Sequence, residues 1–163
     1  MPESKVEQII ASFKTDLEAI TGDDGATYWY TPGKVIRVDY LESRVSFNAG
    51  HGNPVYMVGD TGPDRPSATA AFGETGRAIG VFVLTAIQHE GERDPYTATI
   101  VPGTIRNRMI KDVVKKIEIN RMRGGLSLDT EYQDVKRDFK EPKGWILAEI
   151  YFEVIYQHDI GDP

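Results

Sequence analysis

The chain has 163 residues, of which 40% are hydrophobic and 27% are charged, and its formal net charge is −6. These proportions are typical of a folded domain and exclude a chain that is disordered throughout. The longest apolar stretch, 78–87, is shorter than the roughly 18 residues of a membrane-spanning helix, so we expect no membrane contact. The sequence contains no cysteine, which excludes disulfides, thiolate metal sites and cysteine nucleophiles.

The first predicted element is a helix over about 4–21. Ser4 and Glu7 have the spacing of a capping box, in which the serine hydroxyl accepts the backbone N–H of Glu7 and the carboxylate reaches back. Gly22 follows as a C-terminal cap. One apolar face runs along this segment and consists of Val6, Ile9, Ile10, Phe13, Leu17 and Ile20.

The next segments alternate between strands and turn residues. Strands are predicted over 34–41 and 54–58. The segment 59–77 is rich in glycine and proline, and it is predicted to be a long connection without secondary structure, of a kind that is usually functional. The stretch 78–86 is apolar on both alternating faces, which predicts a strand at the centre of its sheet.

The C-terminal half predicts a second helix over 102–120, with Pro102 in the first turn, where its missing N–H costs nothing. The segment 126–139 alternates weakly and carries many charges, which is typical of an exposed edge strand. The segment 146–156 has the clearest alternation of the chain. Together these elements predict an α+β fold, with an antiparallel or mixed sheet and two α-helices packed on one face, in a single domain over 1–163.

Residues that can perform chemistry are scattered along the chain. His51, His89 and His158 lack the short spacing of a zinc pair, and no serine has the glycine neighbours of a nucleophile elbow. The carboxylates of 129–138 interleave with basic residues, which favours a self-neutralising edge strand over an acid/base pair. We therefore predict no catalytic residue, no metal site and no cofactor, and we expect that the protein is not an enzyme.

One helix is basic although the chain is acidic. The segment 106–123 contains seven basic and two acidic residues, and Arg108, Lys111 and Lys115 share one helical face. Two interpretations stay open: cations near the C-terminal end of a helix complement its dipole, or the stripe faces phosphate groups. The acidic total argues against a free-standing nucleic-acid binder, but it constrains the transient passage of DNA less.

Three consecutive aromatic residues, Tyr28, Trp29 and Tyr30, interrupt a segment of turn residues. At least one of them must point away from the core, and aromatic side chains are enriched at the centres of interfaces. They are therefore candidate interface residues as well as candidate core residues.

A longer pattern follows in the C-terminal half. The segment MIKDVVKKIEINRMRGGLSLDTEYQDVKRDF contains a helix of the form I-x-D-V-x-K-x-I, a glycine pair and a G-L-S-x-D-T motif, and the strand GWILAEIYFEVIY ends the pattern. Over about 105–156 this arrangement resembles the small tail terminator (tail completion) proteins of long-tailed bacteriophages. The order of the N-terminal helix and of the strands at 54–58 and 78–86 is also the order expected of that family.

The resemblance implies a virion structural protein that forms a hexameric ring at the head-proximal end of the tail, after assembly in the host cytoplasm. The ring caps the tail tube, ends its polymerisation and joins it to the head connector. The implied partners are other copies of the chain, the tail tube protein, the neck proteins and double-stranded DNA in passage.

In such a ring, the charged edge strand is the candidate subunit interface, through Asp134, Lys136, Arg137 and Asp138. The stripe of Arg108, Lys111 and Lys115 is the candidate lumen surface. Two alternatives stay open: a neck or head-completion protein, and a small ligand-binding or enzymatic α+β domain.

Overall fold

The computed structural model describes residues 3–38, 54–62, 65–66, 76–89, 101–137 and 144–157. Its elements in chain order are helix α1 (Lys5–Glu18), strands β1 (Lys34–Arg37), β2 (Val55–Asp60), β3 (Arg65–Pro66) and β4 (Gly76–Gln88), helix α2 (Pro102–Ile119), and strands β5 (Asp129–Lys136) and β6 (Trp145–Gln157). A 3-10 turn, Arg123–Gly125, joins α2 to β5. Neither helix of the described part is long and apolar enough to cross a bilayer.

The strands form one mixed sheet in the order β1-β2-β4-β6-β5, and β3 pairs with the beginning of β4. The pair β1–β2 is parallel, whereas the other neighbours are antiparallel. The centre of the sheet is a ladder in which all 13 residues of β4 pair with all 13 of β6. The predicted central strand is therefore confirmed, and so is the predicted edge position of the segment that forms β5.

Helix α1 begins as its sequence predicts. The hydroxyl of Ser4 accepts the backbone N–H of Glu7 at 3.3 Å, but the carboxylate of Glu7 accepts from Arg37 at 2.9 Å and not from Ser4. The helix ends at Glu18 and not near residue 21. The chain tightens there into hydrogen bonds between residues three apart, such as the bond from the Ile20 N–H to the Leu17 carbonyl. Ile20 is nevertheless buried, so the apolar face continues past the helix end.

Both helices pack on the same face of the sheet. One cluster of buried residues contains side chains of α1, α2 and the alternate positions of the strands, among them Phe13, Val113, Val83 and Phe152. The rings of Phe13 and Phe152 meet edge to face, with centroids 5.6 Å apart. The α+β architecture predicted from the sequence, with two helices on one face of a mixed sheet, is confirmed.

The other face of the sheet is apolar too. Val55, Met57, Phe82 and Leu84 form a second buried cluster there. Because β4 alternates between the two clusters, it is buried on both sides, as its continuous apolar run predicts. The same holds for β6, in which even Glu149 is only 8% exposed.

The prediction that 59–77 lacks secondary structure is wrong at both ends and at β3. Strand β2 continues to Asp60, and β4 already begins at Gly76. Gly59 marks a close approach and not a turn, because a Cβ there would lie 2.3 Å from the carbonyl oxygen of Val38. Gly80, inside β4, is a second such position, where a Cβ would lie 2.2 Å from the hydroxyl of Thr61, whereas Gly62 has a φ of 133° and no close neighbour. Residues 63–64 and 67–75 lie outside the described part of the chain.

Candidate functional site

A buried carboxylate joins α2 to the aromatic segment. Asp112 is 1% exposed, and its two oxygens accept the backbone N–H groups of Trp29 and Tyr30, each at 2.9 Å. Burial raises the pKa of Asp112, while these two backbone donors act in the opposite direction. The carboxylate thus fixes the position of two of the three predicted interface aromatics.

The basic stripe of α2 lies against the same segment. The guanidinium carbon of Arg108 is 3.9 Å from the centre of the Trp29 ring, which is a cation–π contact. Lys115 donates to the carbonyl of Thr27 at 3.1 Å and lies 5.4 Å from the centre of the Tyr28 ring. The structure therefore brings together two sets of residues that the sequence suggested separately, and we call them the basic-aromatic surface (Tyr28, Trp29, Tyr30, Arg108, Lys111 and Lys115).

The exposure of these side chains is graded. Tyr28 is buried, Trp29 and Tyr30 are half-buried, and Lys111 and Lys115 are exposed. Two of the three consecutive aromatics thus point partly away from the core. The surface can offer an aromatic face and ammonium groups to a partner at the same time.

The segment that carries the aromatics is held by local bonds. The carboxylate of Asp23 accepts the N–H groups of Thr27 and Tyr28 at 2.7 and 2.9 Å, and these bonds lower its pKa. Gly25 has a φ of 87°, and a Cβ at this position would lie 2.4 Å from the Trp29 ring. The tryptophan can occupy its place beside Arg108 only because residue 25 has no side chain.

The helix dipole does not account for the basic stripe. Helix α2 ends at Ile119, and the basic residue of its last turn is Lys116, which is not part of the stripe. Arg108 and Lys111 lie further from this end, where the dipole acts weakly because its effect falls off within one turn. Another cause is therefore needed for these two cations.

An open depression of about 250 Å³ lies next to the aromatic segment. Its lining consists of Gly22, Asp23, Asp24, Trp29, Tyr30, Thr31 and Pro54. The carboxylate of Asp23 already accepts two backbone N–H groups. No group of three histidine, aspartate or glutamate side chains that could hold a metal ion occurs in the described part of the chain.

The candidate ring-interface residues lie at the end of β5. Asp134 is exposed and follows a bulge in the ladder. Lys136 lies directly opposite Glu149 of β6, and Arg137 is exposed just beyond the strand. Asp138 lies outside the described residues. Three of the four candidates therefore come together at one border of the sheet.

Arg123, counted with the basic stretch in the sequence, is not on the surface. Its side chain is fully buried and forms an ion pair with Asp16 of α1. It also donates to the carbonyls of Asn120 and Ile117 at 2.7 and 3.3 Å, and its guanidinium carbon is 4.6 Å from the centre of the Phe13 ring. Burial lowers the pKa of Arg123, and Asp16 opposes this shift.

Sequence reasoning missed the roles of Asp112 and Arg123. The sequence contained a signal for Asp112, because it comes three residues after Met109 and directly before Val113, both of which belong to the apolar side of α2. Arg123 has no comparable signal in the sequence. It follows the helix and adopts a left-handed backbone conformation with a φ of 52°, which cannot be predicted from an arginine at this position.

No protein-family model matches this sequence, and no curated protein matches it at a significant level.

Proposed function

We propose that this protein is a phage tail terminator, a virion structural protein whose copies close into a ring at the head-proximal end of the tail tube. Its role is to end polymerisation of the tube and to offer a surface to the head connector. The role requires shape and subunit contacts, and it requires no catalytic group, metal or cofactor.

The observation that supports this proposal most directly is the position of β5. The part of the sequence that resembles tail terminators, about 105–156, corresponds to α2, the turn, β5 and β6, which follow one another in the chain and pack together. Within this unit β5 ends the sheet and carries the candidate interface residues Asp134 and Lys136. A ring needs head-to-tail contacts between two different surfaces of each subunit, and the two borders of an open sheet are such surfaces.

The basic-aromatic surface supports the proposal that double-stranded DNA passes through the ring. Lys111 and Lys115 are exposed on α2, and lysine and arginine side chains contact phosphates without regard to sequence. In an acidic chain, a short basic stripe suits a DNA that passes the protein and does not stay bound. We assign this surface to the lumen of the ring.

The experiment is a measurement of mass by light scattering on a sizing column, followed by negative-stain imaging, on the protein alone and with the tail tube protein. We expect a closed ring with a channel that admits duplex DNA, and we expect that added protein stops the growth of tubes. If no ring forms under either condition and tube growth is unchanged, the proposal is wrong.

A parallel mixture with the portal complex separates the terminator from a neck protein. A terminator binds the end of the tube, whereas a neck or head-completion protein binds the portal and leaves tube growth unaffected. The second result would replace the proposed role by the neighbouring one in the same virion.

A further inference from the structure

The two borders of the sheet differ in their charged residues. At one border, β5 contains Glu131 and Asp134 against Lys136, and its third carboxylate, Asp129, is paired with Arg121. At the other border, β1 contains no carboxylate and two basic residues, Lys34 and Arg37, of which Arg37 is paired with Glu7 and Asp60. Among the described residues, no strand pairs with the outer side of either strand. Unpaired strand borders are templates for another chain.

We infer that the first half of β5 in one copy pairs with β1 of the next copy, so that the sheet continues from subunit to subunit. This inference rests on the proposed ring and names the surface that closes it. The partner is a second copy of this chain, and the contact is head to tail because the two strands are different.

The direction of the strands fits this arrangement. In the order β1-β2-β4-β6-β5, the only parallel pair is β1–β2, so β5 runs antiparallel to β1 within one sheet. A neighbour that continues the sheet in the same orientation therefore places its β1 antiparallel to β5. Antiparallel pairing is slightly more stable per residue than parallel pairing.

The lengths of the two strands match as well. The ladder of β5 is regular over 129–132 and shifts between Tyr132 and Asp134. The regular part has four residues, and with Glu131 opposite Lys34 it spans 33–36, which includes three of the four residues of β1. The bulge limits how far a neighbour can pair, which is one way in which edge strands avoid unselective association.

The side chains of the two borders complement one another face by face. Val35 lies in the cluster under the helices, whereas its neighbour Ile36 packs against the cluster on the other face of the sheet. Because side chains alternate along a strand, Lys34 lies on the same face as Ile36. Glu131 is on that same face, where it lies directly opposite Glu153 of β6. A lysine from the neighbour places an opposite charge beside Glu131, and opposite charges across strands stabilise the pairing.

On the helix side the β5 border is apolar and exposed. Leu128 is 36% and Tyr132 38% exposed, and the backbone N–H of Leu128 already bonds to β6 through Ile155 at 2.7 Å. With Lys34 opposite Glu131, Tyr132 lies diagonally from Val35 of the next β1, a distance that an aromatic side chain can span. Exposed aromatic and aliphatic side chains beside a strand border are typical of a covered surface.

Charge also decides between this arrangement and a symmetric one. If two copies joined β5 to β5 about a two-fold axis, Asp129, Glu131 and Asp134 of each copy would face the same acidic strand. Joining β1 to β1 would bring together two strands that each contain two basic residues and no carboxylate. Only the β5–β1 contact pairs opposite charges, and only this contact leaves a free border at each end for further copies.

The test is a charge exchange under the conditions in which the wild-type ring forms. Three variants are compared by light scattering: Lys34→Glu, Glu131→Lys and the double variant Lys34→Glu/Glu131→Lys. We expect each single reversal to raise the concentration for half assembly by about tenfold and the double variant to return close to wild type. Glu118→Lys, a reversal at an exposed site of α2 outside both strands, is the matched control. Circular dichroism melts confirm that every variant folds.

A cross-link gives the direction of the contact. Because the chain has no cysteine, Lys34→Cys and Glu131→Cys can be introduced separately and together and oxidised. The double variant should form a covalent series up to the full ring, whereas a mixture of the single variants should stop at dimers. Dimers of Glu131→Cys alone would show β5–β5 pairing and overturn the inference.

The outcomes also separate this inference from the proposed function. If rings form but neither single reversal weakens them, or the double variant does not recover, then the ring closes through another surface and only the inference fails. If the wild-type chain forms no ring alone or on the tube, the proposed function itself fails.

Discussion

The basic-aromatic surface and the β5 border contain similar residues in the sequence, yet the structure uses them differently. At the first, Asp112 is buried against two backbone N–H groups, and Arg108 and Lys115 contact the aromatic segment. At the second, Asp134 and Arg137 are exposed. Asp112 is buried because the fold supplies backbone hydrogen-bond donors to it at fixed positions. A charged group is buried only where such partners replace water. We therefore expect the first region to govern the stability of the subunit and the second to govern association.

The largest effect on stability is expected at the buried ion pair between Arg123 and Asp16 of α1. Arg123→Ala leaves Asp16 without its ionic partner and removes two hydrogen bonds from a buried guanidinium to the carbonyls of Asn120 and Ile117, so unfolding should become easier by about 3–5 kcal/mol. The matched control is Arg121→Ala, which removes a half-exposed arginine paired with Asp129 and should cost less than about 1 kcal/mol. Urea unfolding of both variants measures the difference, and equal losses would contradict the role given to the buried arginine.

The next effect is expected at the carboxylate of α2. Asp112→Ala removes the acceptor for the backbone N–H groups of Trp29 and Tyr30, and the expected loss is about 2 kcal/mol because those groups remain buried without a partner. Glu118→Ala, on the exposed side of the same helix, should change stability by less than about 0.5 kcal/mol. Denaturant midpoints decide the point, and a loss at Glu118 that equals the loss at Asp112 would show that only helix propensity was altered.

The pH dependence of stability should differ in sign between the two regions. Arg121 lowers the pKa of Asp129 below its ordinary value of 3.8, so this contribution is present above that value and is lost as the pH falls through the folded pKa. Burial raises the pKa of Asp112, so the folded state binds its proton more tightly and stability falls as the pH rises from 3.8 through the folded pKa.

Asp129→Asn should therefore flatten the loss of stability on the acid side, and Asp112→Asn should flatten the loss above 3.8. Urea midpoints between about pH 2 and 7 provide the measurement. Arg121→Gln serves as the control for the first variant, since it removes the partner and leaves the carboxyl group. Slopes that change in the same direction for the two asparagine variants would contradict the contrast.

The smallest effect on stability is expected at the border of β5. Arg137→Glu changes an exposed charge, so the free energy of unfolding should shift by less than about 0.5 kcal/mol, while ring formation should weaken. Lys136→Glu should also weaken ring formation. Because Lys136 lies opposite Glu149, this variant should lower the free energy of unfolding more than Arg137→Glu does. Light scattering together with thermal melts tests both, and unchanged assembly would remove this end of the strand from the interface.

Much of the fold can be predicted from periodicity because the apolar residues of each element face one cluster. The stripe of α2 and the unbroken apolar run of β4 predict both elements to within two residues. The segment after Val58 was harder, because glycine reads as a turn signal whether it bends the chain or lets two backbones approach. Gly59 belongs to the second kind, because its Cβ would meet the carbonyl oxygen of Val38, and that neighbour is set only by the tertiary structure.

The candidate site could be predicted only in pieces. Arg108 and Lys115 share a helical face by spacing alone, but their contacts with Trp29 and Thr27 depend on a loop some 80 residues away in the chain. The burial of Arg123 depends on Asp16 in the same way. Contacts between distant segments leave no periodic pattern, and sequence reasoning therefore assigned these charges to the surface.

The full-length pairing of β4 with β6 has a consequence for amide hydrogen exchange. Amides in the middle of this 13-residue ladder open only when the whole domain unfolds, whereas those of the four-residue strand β1 and of β5 open by local fraying. Protection should thus decrease from the centre of the sheet to both borders in the isolated subunit. A neighbour that covered β1 and β5 would slow exchange most where the free chain exchanges fastest, so the same amides would report both fraying and assembly.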